Sequence, residues 1–437
     1  MLFVVVDQQV SSLPSCWRKS SPRCEFNVEK PYFLISQDVK TSHLLLDSPS
    51  FSAIFFLQEK VKVFDRLSPP LDPSDKEAWS DVARFYLIGL GSRGQFALQH
   101  FGLLDKVADK CVTVVGRKDW APDADEGVER VFEDRKVQTI VLPRDKLVGV
   151  LHQEILQEYA GRIELNYGCE IQPLDFGTDD GSQDRVFVRA SKCSPLASNV
   201  SASEEKTASE QQAEVLCDTD QYTIVSSKLL IAADGTVRTI ANAIQKRDAE
   251  RFKAMGALKR IFAGKPFQVI RYPDDNRRIY KTIPMTVPKE WRGDINYSAR
   301  TKNSRVVFDA LPANSEREYC GVLLLREDDS LAKANSDPKE LRQVLDETLP
   351  CFSAIIDDDV VQKVAAKPPS YLPAFRYIGP RLNEGDKTLI LGDCAHTVKP
   401  YFGLGANSAL EDVKVRAANV GILCILLSDR KFSLSFI

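Results

Sequence analysis

The sequence predicts an α/β chain: a layered domain built around a parallel sheet, interleaved with a second domain made mainly of β-strands. Three observations predict it. At 437 residues, with 43% apolar and 27% charged side chains, the chain is too long for one ordinary core and comfortable for two. Short apolar segments run into Gly- or Asp-bearing turns and then into helix-like stretches, the order expected of a parallel sheet flanked by helices. Between about 265 and 327 the pattern changes to consecutive strands, among them "FQVIRYP", "RRIYKTIPMTV" and "EYCGVLLLRE".

Composition excludes several functions. The net charge of -3 gives no strong electrostatic pull toward nucleic acid or acidic membranes. None of the ten cysteines stands in C-x-x-C and only four histidines are present, so no metal site is expected. The opening "MLFVVVDQQV" is broken by Asp7 and lacks a basic start, which makes it a poor secretory signal. Scattered cysteines without such a signal point to a reducing, intracellular compartment. "VGILCILL", Val420 to Leu427, is too short to span a bilayer, so no membrane segment is expected.

In chain order, no glycine precedes Gly89, so a glycine-rich phosphate loop has to start there or later. "EKVKVFDR" (59–66) alternates charged and apolar residues and ends on an acid. It reads as the second strand of a dinucleotide-binding sheet, whose terminal acid bonds a ribose, or as an ordinary edge strand with an exposed acid. "FYLIGLGSRGQFALQHFG" (85–102) has the outline strand, Gly-x-Gly-x-x-Gly, helix, and the periodicity carries one helix over 94–108. "CVTVVGR" is a short strand ending at Arg117, and a helix is expected over 144–161. "RIELNYGCEIQPLDF" and "DRVFVRAS" alternate like hairpin strands. Residues 192–216 are rich in Ser, Ala and Glu, lack aromatics, and read as a disordered surface insertion. "YTIVSSKLLIAADG" gives two strands running into Asp234-Gly235, "DPKELRQVLDETLP" a helix, and "KTLILGDCAH" a buried parallel strand.

The segment Leu389 to Asp412, "LILGDCAHTVKPYFGLGANSALED", carries the chemistry. An acid at a strand end accepts bonds from sugar-like hydroxyls. Glycines at a helix start let backbone amides approach a ligand, and the helix N-terminus favours an anion. This segment resembles the GDAAH…P…GQG.N…ED signature of class A flavoprotein monooxygenases. The Tyr401-Phe402 pair is most similar to kynurenine 3-monooxygenase and its relatives.

The resemblance covers about 59–414 and implies an FAD-binding, Rossmann-like domain of the glutathione-reductase type, with three layers, interleaved with a β-sheet substrate domain. It implies an FAD-dependent monooxygenase in which NAD(P)H reduces the flavin and O2 hydroxylates an aromatic substrate. Gly392-Asp393 would bond the ribityl chain. Pro400, Gly403, Leu404, Gly405, Ala406 and Asn407 would lie against the flavin ring, with Leu404 where Gln is usual. Asp234-Gly235 would support the pyrophosphate and contact NAD(P)H. Arg144, in "RDKLVGVL", would approach the flavin, and Asp65 takes the ribose position. "GLGSRGQFAL" fits the family's R-G-x-x-A-L segment, which assigns Arg93 to the flavin rather than the glycines to a phosphate.

Arg117 falls at the family's substrate-carboxylate position and has two readings, that contact or a surface ion pair. Phe132 stands where the family has a Tyr, so one hydroxyl contact is absent. No side chain need act as a nucleophile. His396 reads as structural, and Cys394 as a small buried residue.

The expected division is an atypical segment 1–58, FAD-binding parts 59–250 and 376–420, a sheet domain 251–375 and a tail 421–437. The family's phosphate loop would precede Asp65 by roughly 25 residues. The corresponding "FLISQDVKTSHLLLDSPS" contains no glycine, so the N-terminal βα unit is expected to be atypical or missing, and because the sequence departs from the family's pattern after "EDVK", so are the C-terminal helices. Two other functions fit the same residues. One is a same-fold flavin oxidoreductase with a different substrate, such as a ring epoxidase or a geranylgeranyl-reductase-like enzyme. The other is a non-catalytic or truncated relative that keeps the scaffold without FAD.

Overall fold

A computed structural model of the chain describes residues 2–8, 59–74, 86–122, 124–177, 184–193, 217–274, 276–301, 305–400 and 403–427. Segment 192–216 is expected as an insertion. Its residues 194–216 lie outside the described residues, as do Tyr401-Phe402 and nearly all of 1–58. The strand Val186–Cys193 reaches two residues into that segment, the strand Cys217–Ser227 begins immediately after it, and Cys193 pairs directly with Cys217.

The chain forms two large sheets. The first has six strands in the order Asn383–Glu384, Thr388–Ile390, Leu229–Ala233, Leu2–Gln8, Glu59–Asp65, Ile163–Tyr167. The Leu229–Ala233 strand runs parallel to Thr388–Ile390, and Glu59–Asp65 parallel to Ile163–Tyr167. Glu59–Asp65 is therefore an internal strand, with both edges paired, and not an edge strand. Leu2–Gln8 sits between the two parallel pairs but runs antiparallel to both neighbours, with Leu2 opposite Ala233 and Asp65. Its C-terminal end, Gln8, thus faces Glu59, at the opposite edge of the sheet from the strand ends at Asp65 and Ala233.

The second sheet has seven strands: Ser370–Tyr371, Arg278–Thr286, Glu318–Arg326, Val307–Pro312, Ile295–Arg300, Gly116–Trp120 and Val128–Val131. Its last two strands come from far upstream of the expected 251–375 boundary, because Gly116–Trp120 pairs in parallel with Ile295–Arg300. Its core packs Phe308, Tyr297, Leu323 and Phe352 against the helices Pro338–Thr348 and Asp358–Ala366. Asp337 caps the first of these, accepting a 2.9 Å bond from Lys339 N. Gln268–Arg271 leaves this sheet and pairs instead with Arg376–Gly379.

Three local expectations need correction. The helix expected over 94–108 is two helices, Ser92–His100 and Leu104–Ala108, because Gly102 turns at φ +70° between them. "CVTVVGR" is broken at Val115 into Val112–Val114 and Gly116–Trp120, which enter different sheets. Ile163–Tyr167 and Cys169–Asp175 likewise separate, because Gly168 turns at φ +64°.

Candidate functional site

Three chain segments end together at the C-terminal edge of the six-stranded sheet. The Glu59–Asp65 strand ends at Asp65, Leu229–Ala233 runs into Asp234-Gly235, and Thr388–Ile390 into Gly392-Asp393. A cavity of about 430 Å³ opens there, lined among others by Arg66, Tyr86, Arg144, Asp234, Gly235 and Asp393. That size falls within the roughly 300–1,000 Å³ range of small-molecule sites.

Both glycines at the rim have positive φ, +64° at Gly235 and +67° at Gly392, which lets the backbone turn sharply off each strand. Asp65 Oδ1 accepts a 2.9 Å bond from Leu67 N, so the acid fixes the turn that brings Arg66 and Leu67 to the wall. Asp234 is buried. Burial raises its pKa most, opposed by the Thr239 and Ile240 amides at the start of the following helix. Burial also raises the pKa of Asp393, while the charges of His396 and Arg238 pull it down. Arg144 opens the Arg144–Glu158 helix, its backbone N donating to Tyr86 O at 3.2 Å, with the guanidinium 5.9 Å from the Tyr86 ring. Burial raises the Tyr86 phenol pKa.

The Leu404–Leu427 helix locks this edge in place. Asp412 Oδ2 accepts from Gly392 N at 2.9 Å and lies 2.7 Å from His396 Nε2. The Asp412 hydrogen bond raises the His396 pKa. Burial would raise Asp412, but the bonds from His396 and Gly392 outweigh it and hold the carboxylate low. His396 is thus tied to a carboxylate that also holds the Gly392 turn. Cys394 is buried, as expected, its thiol donating to Ala232 O at 3.1 Å.

Asn407 is buried and fully engaged. Its Nδ2 donates to Gly89 O at 2.8 Å and Gly403 O at 2.6 Å, and its Oδ1 accepts from Gly91 N at 2.9 Å and Gly94 N at 3.2 Å. The amides at the start of the Ser92–His100 helix are therefore met by a side chain. The Gly89-x-Gly91-x-x-Gly94 turn also lies outside the parallel sheet, on a strand paired only with Thr139–Pro143 among the described residues.

The structure thus brings Asp234, Gly235, Gly392, Asp393 and Arg144 to one cavity, with Asp65 at its rim. Pro400 and Gly403–Asn407 are at the start of the helix whose Ala409 and Val413 line the wall, and do not line it themselves. Arg93 lies outside it, 3.1 Å from Glu411 on a half-exposed surface. Arg117 and Phe132 are on the seven-stranded sheet side. Arg117 Nε donates to Asp119 at 2.8 Å, and Phe132 packs under Arg135 at 3.9 Å. Sequence reasoning missed Arg66, Tyr86 and Arg238. Arg66 was one residue beyond the singled-out acid. Arg238 adopts φ +57°, is buried, and donates to Asp393 O at 2.6 Å and to Thr397, bracing the Asp393 turn. No spacing rule marks a buried cation in that conformation.

The wall offers two acids for hydroxyls, two arginines for an anion, and glycine turns for close backbone approach. That donor set fits a dinucleotide such as FAD. Among the described residues no cluster of three potential metal ligands occurs, and no helix is long and apolar enough to cross a membrane.

Comparison with known proteins gives the same direction. Kynurenine 3-monooxygenase acdD of Aspergillus candidus is 28% identical over 135 residues, 30% of this chain and 26% of the relative. The Aspergillus terreus kynurenine 3-monooxygenase is 27% identical over the same length. The match thus spans about a quarter of the length of these curated relatives. Among solved structures, P. aeruginosa PqsL in complex with 2-aminobenzoylacetate superposes with a TM-score of 0.51 at 14% identity, covering 85% of this chain and 81% of that one. A four-substitution variant of PqsL gives a TM-score of 0.52 over 83% and 80%, which shows a shared fold. The FAD binding domain family matches residues 190–418, just over half of the sequence, and the chain belongs to that family.

Proposed function

We propose that the chain acts as an FAD-dependent monooxygenase that hydroxylates an aromatic substrate with NAD(P)H and O2, in the manner of kynurenine 3-monooxygenase. The observation that carries this reading is the convergence of Arg144, Asp234-Gly235 and Gly392-Asp393, from three separate segments, on one cavity. Bound FAD would supply the oxygen-transfer chemistry. Asp393 would accept ribityl hydroxyls and Asp65 a ribose hydroxyl. Arg66 and Arg144 would balance the negative charge of the pyrophosphate and of the reduced cofactor. Gly235 and Gly392 would let backbone amides come close. Asp234-Gly235 would also meet NAD(P)H. On the sheet side, Arg117 would exchange its Asp119 partner for a substrate carboxylate, with Phe132 as an apolar wall.

The test is an absorbance spectrum of the purified chain after incubation with FAD and desalting, followed by NAD(P)H oxidation with aromatic acids including kynurenine. Asp393→Ala should lower flavin occupancy severalfold at equal folded content; unchanged occupancy would remove Asp393 from the site.

A second reading, a scaffold relative that does not hold FAD, is favoured by one observation. Leu2–Gln8 fills the central slot of the sheet antiparallel to its neighbours, so the chain leaving Gln8 starts away from Asp65 and Ala233. A colourless protein after FAD loading would select this reading.

A further inference from the structure

The segment Gly256 to Lys265, "GALKRIFAGK", is exposed at every residue. It contains the helix Ala257–Phe262, which buries none of its side chains. Leu258, Ile261 and Phe262 are 76%, 73% and 86% exposed. They stand at i, i+3 and i+4, so one helical turn presents all three on one face. Such exposure of adjacent large apolar side chains is costly in water and marks a contact surface.

The charges around this face have one sign. From Arg251 to Lys265 the sequence holds five bases and no acid, in a chain whose net charge is -3. Arg251 is neutralised by Glu384 at 3.1 Å. Lys253, Lys259, Arg260 and Lys265 are exposed around the apolar turn, with Arg260 donating to Lys253 O at 2.7 Å. Gly256 and Gly264 bracket the turn, and a Cβ at either would meet nothing within 4 Å, so no neighbouring wall encloses it. The feature is a convex knob, not a groove. A knob tipped by Leu, Ile and Phe and ringed by lysines matches the layering of an anionic bilayer surface, acyl chains beneath and phosphate above.

We propose that the 256–265 knob docks the protein on an anionic lipid surface, inserting Leu258, Ile261 and Phe262 at the headgroup level. The overall charge argues against attraction of the whole molecule, and no helix among the described residues can span a bilayer. A local, reversible contact conflicts with neither. This inference is independent of the flavin assignment.

The test is sedimentation of the full chain with vesicles of phosphatidylcholine alone or containing about one third phosphatidylserine. Binding is expected with the anionic vesicles, weak with the neutral ones, and reduced severalfold when salt is raised and charges are screened. The triple substitution L258S/I261S/F262S should lower partitioning by at least about tenfold, because several buried methylene equivalents are removed. K253E/K259E/K265E should lower it comparably at low salt and less at high salt. All six side chains are on the surface, so circular dichroism should show the fold intact. Absence of binding to anionic vesicles overturns the proposal. So does equal binding by the serine variant, which would assign the contact to another part of the chain. Binding by the knob to an acidic polypeptide such as polyglutamate, without binding to vesicles, also overturns it and points to a protein partner.

Discussion

Substituting Gly94 by alanine isolates the contact between the two helices at the cavity edge. In an ordinary helix interior the change would stabilise by about 1 kcal/mol. Here an added Cβ would fall 2.5 Å from Asn407 Oδ1 and 3.2 Å from Leu90 Cδ2. Asn407 has to move, and Oδ1 then releases the Gly91 and Gly94 amides. Two donors left without partners, Gly94 N buried and Gly91 N half-buried, cost roughly 1–3 kcal/mol each. Taking about 1.5 kcal/mol apiece and subtracting the helix gain leaves a net loss of about 2 kcal/mol. In urea this is a midpoint shift of about 1 M for an m-value near 2 kcal/mol/M. Denaturation followed by circular dichroism measures it. The decisive comparison repeats the substitution in an Asn407→Ala background. There the clash is gone, and Gly94→Ala should be neutral or mildly stabilising. An equal penalty in both backgrounds would refute the assignment of Asn407 as the brace.

Two further outcomes depend on titration. His396 has a raised pKa, so its contribution is complete below its ordinary value near 6.5 and is lost as pH climbs through the raised value. Asp412, held low, contributes above its unfolded value and loses that contribution as pH falls through the folded one; His396→Gln should flatten the alkaline loss in a pH series of thermal melts. Lys281 is buried against Lys333 O, Ser336 Oγ and Ala365 O, and burial pushes its pKa down to about 8. Above that value the unfolded chain holds the extra proton. Stability should therefore rise between about pH 8 and 10.5, by on the order of 3 kcal/mol relative to Lys281→Met.

The strand-end acids were legible because an apolar strand ending in Asp or Gly-Asp is a local pattern, and local patterns survive folding. Asp65 and Asp393 stand in that pattern, whereas the roles expected of Asp234 and Arg144 came from the family resemblance. The break at Gly102 carried its own signal, a glycine suited to a left-handed turn. The apolar spacing of Phe96 and Phe101 masked it, although both side chains prove largely exposed. The pairing of Gly116–Trp120 with Ile295–Arg300 had no signal at all, since nothing in either strand encodes a partner so distant in sequence. Tyr86 and Arg238 belong to the same class: their positions are set by tertiary packing, and no periodicity reports it.

The parallel pairing of Gly116–Trp120 with Ile295–Arg300 separates the unit of ancestry from the unit of folding. The stretch that the FAD binding domain family matches begins at residue 190. Excised there, it would leave behind the outer strands of the seven-stranded sheet, baring the hydrogen-bonding groups of Ile295–Arg300 as a sticky seam. It would also forfeit Asp65 and Arg144. A recombinant piece cut to the boundaries of kinship would be expected to aggregate, and two co-expressed pieces split within 194–216 would be expected to reassemble.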